Sequence, residues 1–169
     1  MPERVMETVK SDAEREIVLS RVLDAPHKMV WEAWTDPKQV AKWWGPKGFS
    51  TTIEEMDVRP GGVWRQVMHG PDGTDYPNES VFVDVVQYER LVYTLTGARK
   101  GGSPVKMEKT TTFEDVAGGT LVTMRAVFDS AEARDQNVRE YGSIEGGKQT
   151  LERLADYLTH SLAGTTAKG

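Results

Sequence analysis

The chain has 169 residues, 28% of them charged, and a formal net charge of −5, which is typical of one water-soluble domain with its own core and disfavours a nucleic-acid partner. The absence of cysteine excludes disulfides and thiolate metal sites. No apolar run approaches the roughly 20 residues that cross a bilayer, and the charged N-terminal stretch lacks the features of a signal peptide. We therefore expect a cytoplasmic protein without a membrane span.

The N-terminal part of the sequence predicts a polar tail, one strand and two short helices. Residues 1–14 are polar, and the aliphatic, β-branched run Glu16–Leu23 is typical of a strand. A helix over 26–34 follows, because Asp-Ala-Pro supplies a capping residue and a proline suited to the first turn. Asp-Pro repeats this signal, and a second short helix ends before the Gly-Pro of residues 45–46.

The middle of the sequence changes to alternating apolar and polar residues, which is typical of strands. Six strands are predicted, over residues 51–58, 63–69, 79–87, 91–96, 106–114 and 120–128. Glycine, proline and aspartate between these runs indicate turns, and a glycine-rich loop is expected over 97–103. The run 79–87 is apolar on both faces, so its periodicity does not decide which side points inward.

The C-terminal part predicts a short helix followed by the longest helix of the chain. Ser130 can cap a helix over 131–138. Over residues 143–162, apolar side chains recur at three- and four-residue spacing, as on a helix with one buried face. Gly146 and Gly147 fall in its first turns, so the helix either has a gap in its buried face or begins after Gly147.

These elements predict an α+β fold with a single domain over residues 15–163 and a polar tail over 164–169. Consecutive strands joined by short turns form an antiparallel sheet. The C-terminal helix is the only long amphipathic element that can cover the apolar face of that sheet. A closed lipocalin-type barrel is the competing architecture, but it does not account for two helices directly after the first strand.

Five segments of the sequence together resemble one known family. They read, in order, DAPHKMVWEAWTDP, KWWGPKGF, DVRPGGVWRQVMHGPDG, ERLVYT and QTLERLADYL. Over residues 15–162 the chain resembles the bacterial heat-shock-protein ATPase activator homologues of the START-like (SRPBCC) superfamily. The resemblance implies a helix-grip fold, in which seven antiparallel strands wrap around the C-terminal helix, with a cavity between them for a small apolar or amphipathic ligand. Superfamily members carry lipids or cyclise polyketides, and eukaryotic namesakes stimulate a chaperone ATPase.

The sequence has no local signature of a metal or cofactor site. Its three histidines, His27, His69 and His160, are scattered, without the spacing of metal-ligating pairs. It contains neither a P-loop, nor a dinucleotide-binding fingerprint, nor a Gly-x-Ser-x-Gly nucleophile motif. We therefore expect neither a metal nor a cofactor.

Large side chains on one face of the predicted sheet are the strongest indication of a site. Apolar walls with a few polar groups are typical of small-ligand pockets, although each large aromatic could equally fill the core. Gln66 and Lys109 could anchor the polar head of an amphipathic ligand, and Lys109 could instead reach solvent. The candidate ligand-binding residues are Trp44, Trp64, Gln66, Met68, Phe82, Tyr93, Leu95 and Lys109, with Ile144, Gly147 and Leu151 from the long helix.

Three functions are compatible with these features. The favoured one is a non-enzymatic protein that binds a small hydrophobic or amphipathic molecule. The second is a cyclase or hydrolase with the same pocket, for which Asp84 and His69 are the first candidates as acid or base. Asp84 shares a face with Phe82 and, if buried, would need a partner such as Arg90 or Arg65. The third, regulation of a chaperone, is implied by the resemblance alone, and the sequence leaves the oligomeric state open.

Overall fold

The computed structural model describes residues 14–97 and 105–168 of the chain. In chain order the elements are β1 Glu16–Leu23, α1 His27–Thr35, α2 Pro37–Trp43, β2 Ser50–Met56, β3 Val63–His69, β4 Asp75–Val86, β5 Arg90–Gly97, β6 Val105–Val116, β7 Gly119–Phe128, α3 Ala131–Tyr141 and α4 Ser143–Lys168. The predicted tail, up to residue 13, and the predicted loop beyond Gly97 lie outside the described residues. Within those residues, none of the helices has the length and apolar character needed to cross a membrane.

The seven strands form one antiparallel sheet in the order β1-β7-β6-β5-β4-β3-β2. The first strand pairs with the last, so that Glu16 lies opposite Val127 and Leu23 opposite Thr120. Strands β1 and β2 occupy the two edges of the sheet, and the closed-barrel alternative is therefore wrong. Helix α4 packs on the inner face of the sheet. The predicted α+β helix-grip fold is confirmed.

Local sequence signals set the ends of the shorter helices. The Asp36 carboxylate caps α2 by accepting a hydrogen bond from the backbone N–H two residues later, at 3.0 Å. Ser130 Oγ caps α3 in the same way, at 3.0 Å from the N–H three residues later. Helix α3 continues past the predicted residue 138 to Tyr141. It ends at Gly142, whose φ of 59° is a left-handed conformation that favours glycine.

The core is built around four tryptophans: Trp34 on α1, Trp43 at the end of α2, Trp44 directly after it, and Trp64 on β3. Their indole rings meet edge to face, with centroids 4.9 Å apart for Trp34 and Trp43 and also for Trp44 and Trp64, and 5.4 Å apart for Trp34 and Trp44. The indole nitrogen of Trp43 donates a hydrogen bond to the Ala33 carbonyl at 3.0 Å. We call these four residues the tryptophan cluster.

Helix α4 contains both glycines, so the alternative that it begins after Gly147 is wrong. The backbone N–H of Gly146 already donates to the Gly142 carbonyl at 2.8 Å. The buried face of the helix is made by Leu151, Leu154 and Leu158. Burying three such side chains stabilises the fold by roughly 5–9 kcal/mol before conformational entropy is subtracted. The helix continues to Lys168, through the segment that the sequence predicts as a polar tail.

Strand β4 changes face part-way along, which explains why periodicity could not decide its inward side. Its pairing with β5 shifts register between Phe82 and Asp84. Phe82 is buried before the shift, and Val85 packs against the same core after it. The prediction that Asp84 shares the face of Phe82 is therefore wrong, because the bulge turns the carboxylate outward.

Candidate functional site

A cavity of about 190 Å³ lies between the inner face of the sheet and the N-terminal end of α4. Strands β3 to β7 form its floor, α3 and α4 cover it, and the loop after α2 forms one side. Its wall consists of Trp44, Gly45, Pro46, Gln66, Met68, Tyr76, Asn78, Leu95, Gly97, Met107, Lys109, Met124, Asn137, Tyr141, Ser143, Gly146, Gly147 and Thr150.

The inner face of the sheet has a packed half and a hollow half. In the packed half the side chains are Trp64, Phe82, Tyr93, Phe113 and Val122, all buried. Further along the same strands, the hollow half presents Gln66, Asn78, Leu95, Lys109 and Met124 to the cavity. Helix α4 places its leucines over the packed half, but Gly146, Gly147 and Thr150 over the hollow half. The cavity therefore begins where the aromatic side chains of the sheet and the leucines of the helix both end.

Six of the residues predicted from the sequence meet at this cavity, and five do not. Those on its wall are Trp44, Gln66, Met68, Leu95, Lys109 and Gly147. Trp64, Phe82, Tyr93 and Leu151 belong to the packed core instead. Ile144 packs at the edge of a separate small cluster around Phe128. Periodicity correctly identified the face of the sheet, but it carries no information about how far along each strand the core extends.

Gly147 lines the cavity, but its missing side chain does not create it. A Cβ at this position would lie 2.4 Å from Leu19 Cδ1, so the glycine allows α4 to approach β1 closely. A second cavity of about 100 Å³ adjoins the first there and shares Gly147, Met107, Lys109 and other wall residues with it.

Three residues of the cavity wall each carry a buried polar atom that has no protein hydrogen-bond partner within the described ranges. These atoms are Gln66 Oε1, Asn137 Oδ1 and Ser143 Oγ. Gln66 is 1% exposed and Asn137 is 7% exposed. Leaving a buried polar group unpaired costs about 1–3 kcal/mol, and each of these atoms lies behind the accessible surface of the wall.

Lys109 supplies a positive charge at the floor of the cavity. It pairs with Tyr93 on one side and Ala126 on the other, well inside the sheet. Its Nζ lies 5.4 Å from the centre of the Trp44 ring and 6.0 Å from that of Tyr93. Part of the side chain is accessible because it borders the cavity, yet the surrounding protein removes the ammonium from bulk water and lowers its pKa to about 8. The Lys109 side chain therefore forms part of the cavity wall.

Arg153 on α4 holds the loop that forms one side of the cavity. Its Nη1 donates to the carbonyl oxygens of Trp44 and Gly45, each at 3.0 Å, and of Pro46 at 3.2 Å. Burial lowers the pKa of the guanidinium, which stays charged near neutral pH because arginine is not deprotonated in proteins. The loop and α4 thus form one continuous wall, and Arg153 is a positioning residue that nothing in its sequence pattern distinguishes from an ordinary surface arginine.

Sequence reasoning also missed the wall residues contributed by α3 and by the start of β4. Tyr76 and Asn78 precede residue 79, where this strand is predicted to begin, and Pro77 between them gives no strand signal because proline cannot donate to a strand ladder. Asn137 and Tyr141 belong to a helix whose sequence is polar on most sides. A polar residue on such a helix gives no sequence signal that it will be buried over a cavity.

The two residues considered as catalytic candidates lie outside the cavity. Asp84 accepts hydrogen bonds from Arg90 Nε at 3.2 Å and Nη2 at 2.9 Å, as an exposed ion pair. The His69 ring contacts Thr52 Oγ1 at 2.8 Å and Asp75 Oδ1 at 2.7 Å on the outer face. No group of three histidine, aspartate or glutamate side chains placed to hold a metal occurs in residues 14–97 or 105–168.

Comparison with known proteins agrees with this architecture. The model of the family described as activator of Hsp90 ATPase homolog 1-like protein matches residues 24–159. A solved structure from Nitrosomonas europaea is 30% identical, with a TM-score of 0.76 and 90% of this chain and 99% of that one covered. One from Mycobacterium smegmatis is 28% identical, with a TM-score of 0.77 and coverage of 87% and 92%. One from Arthrobacter aurescens is 27% identical, with a TM-score of 0.79 and 88% of each chain covered. No curated protein matches the chain.

Proposed function

This chain belongs to the family of activator of Hsp90 ATPase homolog 1-like proteins, and we propose that it binds a small apolar or amphipathic molecule in the cavity between its sheet and helix α4. The observation that carries this proposal is a cavity with a largely apolar wall and the ammonium of Lys109 on its floor. Small-ligand sites combine apolar surface with a few polar groups that fix the orientation of the bound molecule.

The size of the cavity limits the molecule. An apolar cavity of about 150 Å³ takes up benzene, so a volume of about 190 Å³ suits roughly eight to ten non-hydrogen atoms. The adjoining space of about 100 Å³ can accept a further short branch. Methionines at positions 68, 107 and 124 form much of the apolar wall, and their flexible side chains adapt to either aliphatic or aromatic shapes.

Ligand binding is preferred over the two other functions for specific reasons. Asp84 and His69, the candidates for acid–base chemistry, are engaged on the outer face of the sheet. Regulation of a chaperone ATPase rests on the description of the family alone. The cavity and its polar atoms, in contrast, are features of this chain.

A substitution that fills the cavity tests the proposal. Thr150 faces the cavity and donates to the Gly146 carbonyl at 2.9 Å. Thr159, on the same helix, makes the equivalent bond to the Ala155 carbonyl at 3.0 Å but is exposed. T159F is therefore a matched control for T150F.

Binding would be measured by isothermal titration calorimetry with octanol as a neutral probe that matches the size of the cavity, and native mass spectrometry of the freshly purified protein would detect a retained molecule. We expect wild type and T159F to bind the probe saturably and T150F to bind it at least about tenfold more weakly, the equivalent of about 1.4 kcal/mol. Equal binding by T150F would contradict the proposal. Failure of wild type to bind the probe or any of a series of small apolar molecules would contradict it as well.

A further inference from the structure

We propose that the molecule held in this cavity is an anion, namely an amphipathic carboxylic acid of about eight to ten non-hydrogen atoms, whose carboxylate pairs with Lys109. The inference rests on the proposed binding function and specifies its ligand class. Its starting point is the position of a lone ammonium at the floor of an apolar cavity.

Within the part of the chain that the structure describes, Lys109 has no anionic partner at this site. Neither cavity has an aspartate or glutamate on its wall among residues 14–97 and 105–168. The other titratable groups that face it are phenols: Tyr93 on β5, Tyr76 on β4 and Tyr141 on α3. Buried charges in proteins are normally paired. A ligand carboxylate would complete the pair.

The aromatic rings beside Lys109 do not replace such a partner. A cation interacts favourably with a ring face out to about 6 Å. The Nζ distances of 5.4 Å to the Trp44 ring and 6.0 Å to the Tyr93 ring lie near that limit. These rings therefore position the ammonium and screen it from water, while its hydrogen-bond donors remain available.

Three polar residues of the wall can supply further hydrogen-bond donors to the carboxylate after a rotation of their side chains. The Ser143 hydroxyl can donate a hydrogen bond. Gln66 and Asn137 each carry an amide whose NH₂ and oxygen ends are interchangeable by a rotation of the terminal group. The apolar part of the molecule would then lie against Leu95 and the methionine side chains of the wall. A charged head and a short apolar body are thus both accommodated.

The test compares octanoate with octanol, which share a chain length and differ in charge, by isothermal titration calorimetry. A hydrogen-bonded pair with a charged group typically changes affinity by about 10- to 100-fold. We therefore expect wild type to bind octanoate about 10- to 100-fold more tightly than octanol. K109M should lose this preference by weakening octanoate alone. K106M is the matched control, since Lys106 lies on the same strand but is exposed, and it should behave as wild type.

The pH dependence provides a signature that a merely structural lysine would not give. Octanoate binds the protonated amine, so its association constant should be constant between about pH 6 and 8 and should fall by up to about tenfold per pH unit above that. K109R, which stays charged, should show no such fall. Octanol binding should not change over the same range.

The outcomes separate the two proposals. If octanol binds as tightly as octanoate, or if folded K109M keeps its octanoate affinity, the anion inference is wrong and the binding function stands. If neither compound binds wild type, the binding function itself fails. Should K109M not fold, the comparison of octanoate with octanol on wild type still decides the question.

Discussion

Replacing Lys109 by methionine is expected to stabilise the protein in the absence of an added carboxylate. Burial lowers the pKa of the ammonium from 10.5 to about 8. Each pKa unit corresponds to about 1.4 kcal/mol, so the charge costs the folded state about 3 kcal/mol near pH 7. Methionine has a similar length and no charge to remove from water. We therefore expect the free energy of unfolding of K109M to exceed that of wild type by about 3 kcal/mol.

The pH dependence of this difference has a definite sign. The folded-state pKa of about 8 lies below the unfolded value of 10.5. Between these values the folded protein has released a proton that the unfolded chain still binds, so wild-type stability rises with pH. The advantage of K109M is therefore complete below pH 8, shrinks between pH 8 and 10.5, and vanishes above that range.

Urea unfolding followed by tryptophan fluorescence, from about pH 7 to about pH 10.5, measures this difference. K106M is the control, because Lys106 is exposed on the same strand and its charge is not desolvated. We expect K106M to follow wild type at every pH. A K109M variant no more stable than wild type at pH 7, or an advantage that stays constant up to pH 10.5, would refute the reasoning.

Three further predictions follow from close contacts in the fold. G147L is expected to lower the free energy of unfolding by about 1–3 kcal/mol, because its side chain would overpack against Leu19. G146L should cost less in the same urea assay, because a Cβ there would meet only a proline ring carbon, at 3.3 Å. R153M removes three carbonyl contacts; we expect a loss of about 1.5–3 kcal/mol and faster hydrogen exchange in the loop after α2, and unchanged exchange would contradict its positioning role. L154A, at a site with 0% exposure, should lower the free energy of unfolding by about 2–5 kcal/mol in the same assay. A smaller loss would mean that neighbouring side chains move into the space left by the leucine.

Most of the fold could be predicted from the sequence, because the signals that set its helices and strands are local. The bounds predicted for β1 and β3 coincide with those observed, since both runs combine strand-forming residues with clear turn signals at their ends. Asp36 and Ser130 act as the caps that their residue types suggest. The bulge between Phe82 and Asp84 could not be predicted, because it depends on how β4 pairs with β5.

The candidate site could be predicted only in part from the sequence, for a reason of geometry. Alternation along a strand predicts the face on which Trp64 and Gln66 lie, but not that the first is packed and the second borders a cavity. That distinction depends on where the leucines of α4 end above the sheet. The contribution of Asn137 depends in addition on how α3 folds back over the cavity, which no local pattern encodes.

The tryptophan cluster has an optical consequence. Indole rings 4.9–5.4 Å apart at steep mutual angles have coupled electronic transitions, which produce a paired positive and negative band in circular dichroism. One member, Trp44, also lines the cavity, so a molecule bound there would change the surroundings of one of the coupled rings. We therefore expect the paired band to change when a ligand is added to wild type and to be weaker in W44F. The same coupling adds an aromatic contribution to the far-ultraviolet spectrum, so helix content read from that spectrum alone would be misjudged.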